Sequence, residues 1–153
     1  MKVFQGPLIL LNVISPQHIQ PKYEINTMLQ FSQHFDFQDD FYQIGPDVLS
    51  IMHLEGEPEY VEYEFFLSLN LPPKVPEGLE GLRTFDKYVV ENALITRIAD
   101  NEEKYFDYDL QLRLYAEEHF NLKLSVKTYF VITDNLGEKV IDLYIPIEGG
   151  TLN

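Results

Sequence analysis

The chain has no cysteine among its 153 residues, which excludes a disulfide framework, a thiol nucleophile and a thiolate metal site together. Basic side chains are few, 11 against 25 acidic ones for a formal net charge of −14. They stand singly, as at Lys22, Lys74, Arg83, Lys87, Arg97, Arg113 and Lys123. A phosphate backbone is bound by a clustered lysine and arginine footprint, so this composition argues against nucleic acid as a partner. No apolar run approaches the roughly 18 to 20 residues of a spanning helix, and no membrane partner is expected. The opening MKVFQGPLILLNVIS has an apolar stretch broken at Asn12 and no small-residue cleavage site. It reads as a strand rather than a secretion signal, which makes the cytoplasm the expected compartment. Catalytic motifs are missing too. Ser50, Ser68 and Ser125 lack a nucleophile-elbow context, Gly78-Leu79-Glu80-Gly81 precedes no helical pattern, and His18, His34, His53 and His119 fall at no ligand spacing. No enzyme activity, metal or cofactor is expected.

What is present is a chain 45% hydrophobic and 14% aromatic, enough for one domain spanning residues 1–153. Its most legible part is the second half, residues 82–148. NALITRIAD is β-branched and apolar, NEEKYFDYDLQLRLYAEEHF carries apolar residues at helical spacing, and LSVKTYFVITD and KVIDLYIPIE alternate. Asp134-Asn135-Leu136-Gly137-Glu138 is hairpin punctuation, with a glycine and residues that tolerate the left-handed region. Residues 82–90 extend into the NALITRIAD strand, with a bulge expected at Glu91-Asn92.

The first half, residues 7–70, follows the same order. Pro7 to Ser15 reads as a buried strand and PQHIQP as a polar loop. Tyr23 to Phe37 carries Ile25, Met28, Leu29, Ser32 and Phe35 at helical spacing, and Asp47 to Glu55 and Tyr60 to Asn70 read as paired strands. Residues 71–81, rich in proline and glycine, form a linker. The fold class expected is α+β: a duplicated β-α-β-β unit whose antiparallel sheet holds two helices on one face through Leu29, Leu110 and Leu114, and leaves a groove on the other.

Strand alternation assigns the faces. Val61, Tyr63, Phe65 and Leu67 share a phase with Ile141, Leu143, Ile145 and Ile147 and belong to the core. Glu62, Glu64 and Phe66, with Asp142, Tyr144 and Pro146, belong to the groove face, as does the aromatic stripe Tyr60, Phe66, Tyr129 and Tyr144. Paired carboxylates at Glu62 and Glu64 suit either a solvated strand face or a site for a cation. A face that mixes tyrosines with carboxylates is poor core material, because a buried carboxylate costs several kcal/mol unless paired. That favours a ligand or partner surface.

The order β-α-β-β twice, the helix ending LRLYAEEHFNL, the strand containing Tyr129 and the ending IDLYIPIE (Ile141 to Glu148) resemble the GyrI-like small-molecule binding domain, also known as the bacterial transcription activator effector-binding domain. The resemblance implies a non-catalytic domain holding a small-molecule effector in the groove between its halves, with Glu62, Glu64, Phe66, Lys127, Tyr129, Asp142 and Tyr144 as ligand-binding residues. In the family a glutamate two residues before the tyrosine attracts cationic aromatic ligands. Here Lys127 occupies that position, which implies a groove less attractive to cations. Without a DNA-binding pattern in the sequence, the resemblance is to the stand-alone members. The alternative is a protein-interaction module, an inhibitor, immunity or adaptor protein whose acidic surface meets a basic target.

Overall fold

A computed structural model describes residues 2–21, 42–54, 56–73, 82–99 and 105–148. The helix expected over residues 23–37, with Leu29, lies outside them. The fold is mostly β, of the α+β class, with six strands and one helix among the described residues. No described helix is long and apolar enough to cross a membrane. The chain divides into two compact units, Leu10–Tyr88 on one hand and Met1–Ile9 with Val89–Asn153 on the other.

The Leu10–Tyr88 unit contains most of β1 (Phe4–Pro21), then β2 (Asp47–Leu54) and β3 (Glu57–Ser68). β3 is the middle strand, antiparallel to both neighbours, with Ile14 opposite Leu67 and Leu49 opposite Phe65. The expected polar loop PQHIQP is instead the second half of β1, where Gln17 through Pro21 pair with Glu64 back to Tyr60. Its composition is that of a loop, but a long β3 supplies backbone partners that local sequence cannot reveal. Gly56, at φ 77°, turns β2 into β3 with a backbone that glycine adopts at no steric cost. Tyr63, Phe65 and Leu67 are buried as the alternation required, but so are Glu64, Phe66 and Ser68. β3 is therefore covered on both faces.

The other unit holds the end of β4 (Leu82–Ala99), then α1 (Tyr105–Phe120), β5 (Lys127–Asn135) and β6 (Glu138–Pro146). β6 is the middle strand, antiparallel to β4 and β5. In both units, then, the third strand lies between the first and the second. β4 runs unbroken through Glu91-Asn92, and its register shift falls between Arg97 and Ala99. The bulge is thus about six residues later than expected, because its place is set by what β4 must match on β6. In the β5–β6 hairpin the left-handed residues are Leu136 at φ 54° and Gly137 at φ 89°, not Asp134 or Asn135. Two consecutive positive φ angles make a primed turn suited to the twist of the strands. The Asp134 carboxylate accepts the Gly137 N–H at 3.0 Å.

α1 packs by a different stripe from the one its leucines suggest. Leu112 and Ala116 are fully buried and join Leu94, Leu124, Ile145 and Ile147 in one apolar cluster. Leu110 and Leu114, expected to face the sheet, are 59% and 46% exposed. Helix positions 110 and 114 continue into Glu117 and Glu118, so burying that stripe would bury carboxylates. The stripe that is buried includes Asp109, whose carboxylate accepts bonds from Arg113 Nε at 2.5 Å and Thr128 Oγ1 at 2.7 Å. Arg113 also donates to the Ser125 carbonyl at 2.5 Å and to Thr128 Oγ1 at 3.1 Å. An αL cap ends the helix: Asn121 takes φ 51° and its N–H donates to Glu117 O at 3.1 Å, while Leu122 N–H donates to Ala116 O at 3.2 Å. Leu122 then packs against the cluster.

Candidate functional site

β6 separates core from surface in the second unit. Ile141, Leu143 and Ile145 point into the apolar cluster side and are at most 2% exposed, while Asp142 and Tyr144 alternate to the other face and are half-buried. Register fixes their lateral neighbours. Tyr144 lies between Tyr129 of β5 and Ile95 of β4, and Asp142 lies between Val131 and Arg97. Arg97 forks onto the Asp142 carboxylate, Nε to Oδ1 at 2.8 Å and Nη2 to Oδ2 at 3.2 Å. This bidentate geometry is the strong form of the pair, although the Arg97 side chain is 64% exposed and solvent screens it. Burial, then the neighbouring Asp142 charge, holds the Tyr144 hydroxyl above its ordinary pKa, with Arg97 opposing. The phenol therefore remains a donor at neutral pH.

These residues edge a cleft of about 590 Å³ lined by Lys2, Phe4, Ile95, Arg97, Asp142 and Tyr144. Lys2 and Phe4, at the start of the chain, complete it. The buried Thr96 hydroxyl donates to the Lys2 carbonyl at 2.9 Å, which ties the start of the chain alongside β4 next to Arg97. Of the residues expected to bind ligand, Asp142 and Tyr144 line this cleft. Tyr129 shares their face but is 3% exposed, and Lys127, two residues before it on β5 and on that face, is half-buried and outside the lining. Alternation did not single out Lys2, Phe4, Ile95 and Arg97. Their membership depends on the β4–β6 register and on the Thr96–Lys2 bond, neither of which has a local sequence signal.

The expected residues of the first half meet different partners. Glu64 is 4% exposed and Phe66 fully buried. The Glu64 carboxylate is ion-paired with Arg83, whose guanidinium lies 5.5 Å from the Phe85 ring centre. Phe66 packs on Tyr88 with ring centres 4.6 Å apart, and Tyr88 meets Phe85 edge-on at 5.1 Å. Glu62 is half-buried. Within the unit, Glu64 and Phe66 are thus engaged by Arg83 and Tyr88, two residues the sequence reading passed over. A buried carboxylate paired with a guanidinium offers a cationic ligand much less than a bare one. A smaller hollow of about 470 Å³ lies beyond α1, edged by Arg113, Glu117 and Lys123. Its arginine is committed to Asp109, Ser125 and Thr128.

In this unit one sheet face is packed on the apolar cluster and the other carries the polar cleft at Asp142 and Tyr144. The structure is similar to the crystal structure of the EcmrR C-terminal domain, with a TM-score of 0.64 at 11% sequence identity over 95% of each chain. The GyrI-like fold implied by the sequence resemblance is therefore the fold of this chain. It is also similar to a hydrolase from Listeria innocua, with a TM-score of 0.45 at 10% identity over 95% of this chain and 91% of that one. No protein-family model and no curated protein sequence matches the chain.

Proposed function

We propose that this chain is a non-catalytic small-molecule binding domain built from two β-α-β-β repeats, and that its ligand occupies the cleft at Asp142 and Tyr144. The observation that carries the reading is the cleft itself: a phenol, a forked carboxylate–guanidinium pair and an ammonium arranged beside Phe4 and Ile95 on the side of β6 turned away from its core. A few polar groups set in an apolar frame are what orient and hold a drug-sized molecule. The GyrI-like fold supports the same reading, since domains of that kind bind effectors. The test is a thermal-shift screen of the whole chain with neutral, anionic and cationic aromatic compounds, followed by mapping of hits from the amide and side-chain resonances of Ile95, Arg97 and Tyr144. Hits should raise the melting temperature by mass action on the native state and move those resonances. A screen whose hits all leave them unmoved would sink the assignment of the cleft.

A protein-interaction role is the second reading, and the outer face of α1 supports it. Leu110 and Leu114 stand exposed in line with Asp107, Glu117 and Glu118, an apolar stripe with acidic ends that suits a basic partner. Such a complex should weaken as salt rises and should be lost with Leu110→Ser/Leu114→Ser while the small-molecule response persists.

A further inference from the structure

The cleft at Tyr144 has a polarity opposite to that of the chain around it. The protein carries a formal net charge of −14, yet the lining residues include two cations, Lys2 and Arg97, and one carboxylate, Asp142. Both Asp142 oxygens already receive bonds from Arg97, so its charge is spent within the wall. No carboxylate among the described residues pairs with the Lys2 ammonium, whose chain position is fixed by the Thr96 bond to its carbonyl. What remains for a ligand is a set of donors: the ammonium, the outer N–H groups of the guanidinium, and the hydroxyl of Tyr144. Facing them are the half-exposed ring of Phe4 and the side chain of Ile95.

We propose that the cleft takes a small organic anion, a flat apolar body bearing a carboxylate or similar monoanionic group. The anion lies against Lys2 and Arg97 with Tyr144 donating to it, and the apolar body lies on Phe4 and Ile95. This inference rests on the small-molecule reading above and sets its ligand class. It goes beyond the weakened attraction to cations that Lys127 implies, to a preference for anions. The difference arises because Arg97 neutralises the one carboxylate lining the cleft and Lys2 adds a charge that no carboxylate among the described residues pairs with. Guanidinium and ammonium donors bind anionic oxygens with charge-assisted bonds about twice as strong as neutral ones. An organic cation would have to displace Arg97 from Asp142 before finding a partner.

Three probes that share a 2-naphthyl body separate the polarity from the existence of the site: 2-naphthoate, 2-naphthol and a 2-naphthyl trimethylammonium salt, each titrated into the intact chain at low ionic strength and followed by the resonances of Ile95, Arg97 and Tyr144. Naphthoate should bind roughly tenfold more tightly than the ammonium probe. Lys2→Gln should remove most of that advantage, and Lys2→Gln/Arg97→Gln, which bares Asp142, should invert it. Both substitutions lie on exposed side chains, and the melting temperature of each variant reports whether the fold is kept. Should naphthol bind in the cleft while naphthoate is no better than the ammonium probe, the anionic assignment is overturned and the small-molecule reading stands. Should none of the three move those resonances, both fall.

Discussion

Truncating Leu112 and Leu114 in turn tests how α1 is seated. Leu112 is fully buried, in contact with a cluster that includes Leu94 and Ile145 from adjacent strands. Leu→Ala at a site of this kind costs about 2 to 5 kcal/mol, the transfer of the lost carbons plus the cavity left behind. Here the floor of the cavity is a hydrogen-bonded sheet and its rim includes the small Ala116, neither of which can close in. About 3 to 4 kcal/mol is therefore expected for Leu112→Ala. Leu114 keeps 46% of its surface in water, leaving at most about half of the transfer term of roughly 1.5 to 3 kcal/mol. Truncation there digs no cavity, and alanine returns about 0.2 kcal/mol of helix propensity. Leu114→Ala should cost about 1 kcal/mol or less. Urea unfolding followed by circular dichroism at 222 nm, with equal slopes for the two variants, measures both. A Leu114→Ala cost equal to or above that of Leu112→Ala would refute the packing and return the helix to the leucine-faced orientation read from its sequence.

Other consequences follow from single groups. Arg113→Met should destabilise by about 2 to 4 kcal/mol, since it strands the Asp109 carboxylate and the Ser125 carbonyl; Asp109→Leu/Arg113→Met should recover much of that loss, and additive costs in the cycle would dismiss the clamp. Leu136→Asn should raise stability by up to about 1 kcal/mol, because leucine at φ 54° strains where asparagine does not; no gain in chemical denaturation would mean that the turn relaxes elsewhere. Tyr144 titrates above its ordinary value, so the unfolded chain loses that proton first and the linked stability, complete below about pH 10, declines as pH rises through the folded pKa. Site-resolved carbon NMR of the ring should show Asp142→Asn lowering that pKa and Arg97→Gln raising it, and no movement in either variant would contradict the pairing.

The elements of the second half were legible from the residues because their signals are local. Alternation over IDLYIPIE placed Leu143 and Ile145 in the core and Asp142 and Tyr144 on the other face, as the structure has them. The helix was equally plain in kind, but its orientation was not. LQLRLY puts leucine at every second position, so two stripes compete. The choice between them was made by Arg113 and Thr128, which make a buried Asp109 tolerable, and Thr128 comes from another element. In the first half the same alternation predicted one open face on β3, where Glu64 and Phe66 are in fact enclosed by Arg83 and Tyr88. A period of two states which side chains share a face, and says nothing of what covers it.

Determined by sequence alone, then, are the strands and helix of the second half, the phase of β6, the absence of thiol chemistry, and a charge that disfavours nucleic acid, since each depends on composition or on neighbours a few residues apart. Tertiary structure decided the length of β1, the place of the β4 bulge, the stripe by which α1 packs and the membership of the cleft. Each of these depends on pairing between segments distant in the chain, where the backbone and buried polar groups find partners that no local pattern encodes. The electrostatic character of the cleft is the clearest case. Asp142 read from its own strand is a free carboxylate, and only the β4–β6 register brings Arg97 across to neutralise it.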